Sequence, residues 1–247
     1  MKLTLLFAMM LTAGSATAQQ AGTAKEDEAA KDIDTVQVNA LRDPDFKTYR
    51  AFVAGLDAFD EKHKLAPAAA LRFLLRPETP GTSIEGVTIR IAGNETSIDV
   101  PLAADGTFVM PRNQGALDED ADIIVNRKKG SLRWRPEVRT PDVPANARRL
   151  GDLRLECEVR WAVERKELPF TKRVLFSTLG GPCRSKLVHL RQFSPRAISG
   201  YRMVAGERSD TAPAEAITAG GTLYVVPLHD ASWPDDALVQ FEFAAQK

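Results

Sequence analysis

Short stretches in which every second residue is apolar recur along most of the chain, and they limit its fold more than any other feature. A period of two is that of a β-strand with one face on a core, and turn signals such as Asp105-Gly106, Lys129-Gly130 and Gly220-Gly221 separate the stretches. Strands are predicted at 70–76, 86–92, 96–102, 107–110, 121–126, 131–135, 153–164, 187–193, 201–205, 222–228 and 237–243. The pattern predicts a mainly β protein with antiparallel β-sandwich-like sheets, as one sandwich or as two β subdomains.

One amphipathic α-helix is predicted near the N-terminus, in "DPDFKTYRAFVAGLDAFDEKHKL". Asp43 can cap its first turn, Pro44 suits the first helical position, and Pro67 ends the helix at the latest. Apolar residues then follow steps of three and four, at Phe46, Tyr49, Phe52, Val53, Leu56 and Phe59. This stripe predicts that the helix packs against the sheets.

The sequence does not determine which residues face the core in the hairpin around "AADGTF". A two-residue loop at Asp105-Gly106 places Val109 on the same face as Leu102 and turns Phe108 and Met110 to the other face. A loop one residue longer reverses this arrangement. The sequence is compatible with both.

Residues 1–18 have the features of a signal peptide: Lys2, an apolar run to about Leu11, and the small-residue site Ala16-Thr17-Ala18. We therefore predict cleavage near Ala18 and a periplasmic or secreted mature chain. Residues 19–32 are polar and are expected to form a disordered lead-in. No later stretch is long and apolar enough to span a membrane.

Beyond the lead-in, the predicted organisation has four parts. Residues 33–80 hold a short strand at 33–40, the helix and a strand that pack on the sheets, and residues 81–135 hold the first half of a β-sandwich. Residues 136–152 contain three prolines and are predicted to be a connection. Residues 153–247 form the second half or a second β subdomain, which carries the disulfide.

Cys157 and Cys183 are the two cysteines of the chain. Cys157 lies on the apolar side of the stretch 153–164, and Cys183 follows the turn Gly180-Gly181-Pro182. An even number of cysteines in an exported protein indicates a disulfide, and the C-x-x-C spacing of a redox-active pair is absent. We predict a structural disulfide; two unpaired buried thiols are the alternative.

Charge is balanced over the chain, with 33 basic and 33 acidic residues, so that composition gives no reason to expect nucleic acid or a membrane surface as partner. One stretch of the chain has a local excess of basic residues. Nine basic residues lie between 127 and 154, and the candidate anion-binding residues are Arg127, Lys128, Lys129, Arg133 and Arg135. Trp134 is expected to face the core. The alternative is an ordinary solvated strand face.

An aspartate run gives a weaker indication of a functional site. Asp118, Asp120 and Asp122 resemble the first half of a calcium loop, but the glycine and glutamate of that loop are replaced by Ile123 and Lys129. We expect a solvated turn there, and no metal or other cofactor.

His229 and Asp230 could belong to a hydrolytic site assembled from loops, although no nucleophile motif accompanies them. The sequence therefore favours a non-catalytic envelope protein that binds an anionic glycan or a protein partner, or that has a structural role. A periplasmic hydrolase with its site around His229 is the alternative.

Overall fold

The computed structural model describes residues 44–78 and 81–245. The predicted signal peptide at 1–18, the lead-in at 19–32, the strand at 33–40 and the cap at Asp43 lie outside the described residues.

Strands in four antiparallel sheets dominate the fold, which confirms the predicted class. The strands are β1 Pro44–Thr48, β2 Ala70–Pro77, β3 Ile89–Ala92, β4 Ser97–Val100, β5 Thr107–Phe108, β6 Asp122–Lys128, β7 Leu132–Arg139, β8 Ala147–Arg149, β9 Arg191–Phe193, β10 Ile198–Ala205, β11 Arg208–Thr211, β12 Ile217–Thr218, β13 Leu223–Val225 and β14 Leu238–Phe243. Their orders in the sheets are β1-β6-β3-β4, β5-β2-β7, β11-β10-β14-β8 and β12-β13-β9.

Helices are more numerous than the single one predicted. They are α1 Tyr49–Lys62, α2 Gln114–Asp118, α3 Leu150–Glu164 and α4 Phe170–Thr178. Short 3₁₀ turns follow at 63–65, 165–167, 214–216 and 219–221. None of the helices in the described ranges is long and apolar enough to cross a bilayer.

The predicted N-terminal helix is present, but it begins at Tyr49 rather than at Pro44. Residues Pro44–Thr48 are instead β1, an edge strand that pairs antiparallel with β6. An edge strand tolerates proline, because one side of its backbone needs no partner in the sheet. The pairing with β6 therefore takes these residues out of the helix.

The predicted strand at 153–164 is wrong, because these residues lie in helix α3. Its alternation has a different origin. Two residues along a helix turn about 200° around the axis, so that apolar residues at every second position form two stripes on opposite sides. Leu153 and Cys157 form one stripe, Leu155 and Val159 form the other, and all four are buried. A helix covered on both sides thus has the same pattern as a half-buried strand.

Helix α3 lies between two hydrophobic cores. Leu155 and Val159 pack into the N-terminal core, whereas Leu153 and Cys157 pack into the C-terminal core. Large members of the N-terminal core are Tyr49, Phe52, Phe73, Ile89, Ile91, Phe108, Met110 and Ile123. Large members of the C-terminal core are Leu150, Ile198, Tyr201, Met203, Tyr224, Leu228, Trp233 and Val239.

The register around Asp105-Gly106 follows the longer-loop alternative. Phe108 and Met110 are buried in the N-terminal core, and Val109 is exposed. Strand β5 pairs with β2 rather than with β4, which precedes it in the chain.

The segment 136–152 is not an irregular connection throughout. Strand β7 continues to Arg139, β8 follows at Ala147–Arg149, and α3 begins at Leu150. Pro136 lies within β7, an edge strand of its sheet, where a missing N–H is tolerated. The Asp152 carboxylate fixes the end of this segment, because it accepts hydrogen bonds from the Thr140 N–H at 2.9 Å and from the Thr140 hydroxyl at 2.6 Å.

Cys157 and Cys183 form a disulfide with a Cα–Cα distance of 5.7 Å, which confirms the predicted pairing. Both residues are buried. The bond joins α3 to the turn after α4. It therefore ties together the two ends of the chain segment that contains α4.

We expect Gly55→Ala to destabilise the protein, although alanine is the better helix former. A Cβ at Gly55 would lie 2.6 Å from Val163 Cγ2, at the point where α1 crosses α3. Val163 is short and fully buried, so that it cannot move away, and the expected loss is about 1–2 kcal/mol of unfolding free energy.

Urea unfolding measures this loss, with Gly115→Ala in α2 as the control. The nearest atom to a Cβ there lies at 3.4 Å, and stability should be unchanged or raised. Equal stability of Gly55→Ala and the parent protein would contradict the close packing of α1 on α3.

Candidate anion-binding site

Arg133 and Arg135 project from the same face of β7, as the alternation predicts. In the antiparallel register β7 pairs with β2, so that Arg133 lies opposite Arg76 and Arg135 lies opposite Leu74. Trp134 points the other way and packs on Phe52, with ring centroids 5.0 Å apart. The outer face of this sheet therefore carries the basic groups, and its inner face contributes to the N-terminal core.

Helix α3 adds a further arginine to this face. Arg135 and Arg160 line two neighbouring hollows, of about 90 Å³ and about 280 Å³, and we call these hollows together the arginine cleft. The smaller hollow is also lined by Leu74, Pro136, Glu137, Arg139, Arg148, Glu156, Cys157, Leu190, Gln192, Phe193 and Pro195. The larger is also lined by Lys47, Glu78, Lys129, Gly130, Leu132, Arg133, Trp134 and Glu164.

Most arginines of the cleft have an acidic partner. The closest N–O distances are 2.6 Å for Arg133 with Glu78, 3.1 Å for Arg139 with Glu137, 2.5 Å for Arg148 with Glu156 and 3.0 Å for Arg160 with Glu164. The Arg148–Glu156 pair is buried, whereas the other three pairs are at least partly exposed and contribute little to stability. They do neutralise most of the positive charge that the cleft would otherwise carry.

Arg135 differs from these arginines. It forms no ion pair with any residue of the described ranges, and its one hydrogen bond there goes to the Arg191 carbonyl at 3.1 Å. Burial, and then the positive charges of Arg160 and Arg76, lower the pKa of Arg135 to about 10. Its guanidinium is therefore charged at neutral pH, and no carboxylate of the described residues lies within ion-pairing distance of it, although the charge of Glu164 acts on it from further away.

Arg148 lies at the floor of the smaller hollow. Its Nη2 donates to Glu156 Oε1 and to the Val138 carbonyl, while its Nε is buried without a hydrogen-bond partner among the described residues. Glu156 also accepts from the Val138 N–H at 2.8 Å, and burial raises the pKa of this carboxyl. The pair therefore fixes α3 to β7.

Three of the five predicted anion-binding residues lie together in the structure, and the other two lie elsewhere. Lys129, Arg133 and Arg135 line the arginine cleft. Arg127 instead donates to the carbonyl oxygens of Glu85, Gly86 and Asn126, so that it holds the loop before β3. Lys128 lies opposite Pro44 at the end of the β1–β6 pair, outside the lining of the cleft.

Sequence reasoning did not select Arg139, Arg148 or Arg160 as site residues, although Arg139 and Arg148 belong to the basic stretch, nor did it place Arg76 beside the cleft. Arg160 could be found only by assigning 153–164 to a helix, because a strand at this position would not bring it to β7. The pairing of Arg76 with Arg133 depends on the β2–β7 register, for which the local sequence carries no signal.

The hydrolase hypothesis would require a nucleophile beside His229. His229 lines a hollow of about 430 Å³ together with Arg154, Glu158 and Asp235. Among the described residues, this lining contains no hydroxyl, and its one cysteine, Cys183, is in the disulfide.

The backbone of the loop that carries His229 binds Arg154. This side chain donates to the carbonyl oxygens of Leu228, Asp230 and Trp233. The contacts in this region therefore position a loop against α3.

The acidic run at 118–122 is used for structural contacts. Asp118 accepts a hydrogen bond from Gln114 Nε2 at 2.7 Å, and Asp120 binds Arg50 at the start of α1. Within residues 44–78 and 81–245, no group of three or more potential ligands could hold a metal ion.

No protein-family model, curated protein or solved structure matches this chain. The chemistry of the cleft must therefore be inferred from its own geometry.

Proposed function

We propose that this protein is an exported, non-catalytic binding module of the cell envelope. Its arginine cleft would recognise a phosphate or carboxylate group on an anionic glycan or on a protein partner. Arg135 is the observation that carries this proposal, because its half-buried guanidinium has no ion pair among the described residues. A bound anion would supply the missing countercharge.

The chemistry of the cleft suits such a group. A guanidinium binds the two oxygens of a carboxylate or phosphate with parallel hydrogen bonds, and Arg135 and Arg160 line the same hollows. The smaller hollow has about 90 Å³, well above the roughly 10–15 Å³ that one water molecule needs.

Export and the choice of partner rest on two further features. The apolar N-terminal stretch has the pattern of a signal peptide, and a disulfide between Cys157 and Cys183 persists in an oxidising compartment. Anionic ligands in an envelope include lipopolysaccharide phosphates and acidic wall polymers. Which of them binds is an outcome of the experiment below.

We expect Arg135→Gln to weaken the binding of anions by about tenfold or more, since a charge-assisted hydrogen bond contributes about 1.5–3 kcal/mol. Titration calorimetry with inorganic phosphate, pyrophosphate, purified lipopolysaccharide and an acidic wall polymer, each at several salt concentrations, measures the effect. Arg135→Lys keeps the charge but loses the planar guanidinium that can donate two parallel hydrogen bonds. Its affinity for the anions should lie between those of the parent protein and Arg135→Gln.

Arg90→Gln is the matched control, because Arg90 is exposed on β3 and does not line either hollow. It should bind like the parent protein. Salt-independent binding, no binding to any of the four probes, or equal affinity of Arg135→Gln and Arg90→Gln would each reject the proposed site.

A further inference from the structure

Helix α4 turns an apolar face to solvent. The exposed fractions of Phe170, Val174, Leu175 and Leu179 are 69, 43, 55 and 36 %, and that of Leu187 in the following loop is 79 %. On the opposite side of the helix, Phe176 packs edge-on against Trp161 with ring centroids 5.7 Å apart. The helix is therefore anchored on one side, and no residue of 44–78 or 81–245 covers the other. Clustered apolar exposure of this kind is typical of an interaction surface.

The segment that carries this apolar face is rich in basic residues. Between residues 165 and 191 the chain has seven basic residues, Arg165, Lys166, Lys172, Arg173, Arg184, Lys186 and Arg191, and one acidic residue, Glu167. Lys47 already binds Glu167 at 2.7 Å, and Arg184 lies 3.8 Å from Glu158 of α3. The region thus carries a strong local excess of positive charge, although the chain as a whole is neutral.

We propose that the α4 face, defined as residues 165–191, binds the surface of a bilayer that contains anionic phospholipid. An interfacial amphipathic helix places its apolar side chains at the boundary between headgroups and acyl chains while Lys and Arg contact the headgroup phosphates. The α4 face provides both elements. Leu190 at the end of this segment lines the arginine cleft, but none of the exposed apolar side chains of the α4 face does, and the proposal does not depend on anion binding in the cleft.

A second copy of the chain fits this face less well. A two-fold contact brings the same patch of both subunits together, so that the basic residues of one copy would face those of the other. A peptide groove is also a poor description, since none of the five exposed apolar side chains lines the hollows at Arg135, Arg160 or His229. A bilayer surface offers an apolar environment to the exposed apolar side chains and phosphate groups to the basic ones.

Flotation with lipid vesicles tests the proposal on the intact mature protein. The protein should bind vesicles of phosphatidylcholine mixed with phosphatidylglycerol, bind phosphatidylcholine alone much more weakly, and dissociate as salt is raised. The double substitution Phe170→Ser and Leu175→Ser should weaken binding by about tenfold or more, because two exposed apolar side chains no longer enter the bilayer. Lys172→Glu with Lys186→Glu should weaken it comparably.

Val109→Ser is the matched control. Val109 is exposed to 58 % but lies outside the α4 face, so that its replacement should leave vesicle binding unchanged. Phe170→Ser/Leu175→Ser should bind inorganic phosphate like the parent protein, because neither side chain lines the arginine cleft, and this separates the present proposal from the proposed function. Urea unfolding of each variant verifies that it is folded.

Three outcomes would overturn the proposal: no binding to anionic vesicles, equal binding by Phe170→Ser/Leu175→Ser and Val109→Ser, or binding that does not distinguish anionic from neutral lipid. A dimer in sedimentation that Phe170→Ser/Leu175→Ser converts to a monomer would assign the face to a second copy instead.

Discussion

Replacing Glu156 with leucine should lower the free energy of unfolding by about 3–5 kcal/mol, because it leaves the buried guanidinium of Arg148 without a countercharge. Arg148 and Glu156 are each exposed to only 7 %. The substitution also removes the acceptor of the Val138 N–H, which lies in β7. The expected consequence is a large shift of the urea midpoint.

The double substitution Arg148→Met/Glu156→Leu separates loss of the pair from loss of packing. Apolar residues of similar volume often replace a buried ion pair with little loss of stability, so that the double variant should recover most of what Glu156→Leu loses. Glu164→Gln is the control for an exposed pair, and its effect should stay within about 1 kcal/mol. If Glu156→Leu unfolds at the same urea concentration as the parent protein, the pair is not essential to the packing of α3 on β7.

Removing the disulfide should cost about 3–4 kcal/mol, because the bond closes a chain segment with a sequence separation of 26 residues and so restricts the unfolded ensemble. The effect on the native state should be local. The closed segment contains α4, and α4 has no buried residue of its own. We therefore expect amide protection to fall first in residues 165–190 when the bond is reduced.

Urea unfolding of the oxidised protein and of Cys157→Ala/Cys183→Ala measures the global effect, and hydrogen exchange measures the local one. Reductant should shift the midpoint of the parent protein and leave that of the double variant unchanged. Two free thiols in the intact mass of the untreated protein would contradict the assigned bond.

The sequence predicted those strands that bury one face. In β3, Ile89 and Ile91 are buried and Arg90 is exposed; in β10, Met203 is buried and Arg202 is exposed. Period-two patterning is a direct result of this geometry. Helix α3 was not predictable in the same way, since burial on two opposite sides erases the apolar stripe on one side that identifies a surface helix.

The candidate site was predictable only in part, for a related reason. Alternation places Arg133 and Arg135 on one face of β7 without knowledge of the fold. The lack of an ion pair at Arg135 depends on where the carboxylates of α3 lie, and these positions follow from the helix rather than from local patterning. Burial of Arg148 likewise requires Glu156 to be presented from α3.

The position of α3 has a consequence for the evolution and engineering of this chain. Since one side of the helix completes one core and the other side completes the second, a cut at either end of it would leave a row of aliphatic side chains in water. The two halves should therefore be inherited together and should not be exchangeable as separate cassettes. Insertions should be tolerated at the outer turn 206–207, where a Cβ at Gly206 would meet no atom within 4 Å and which is far from α3 in the sequence.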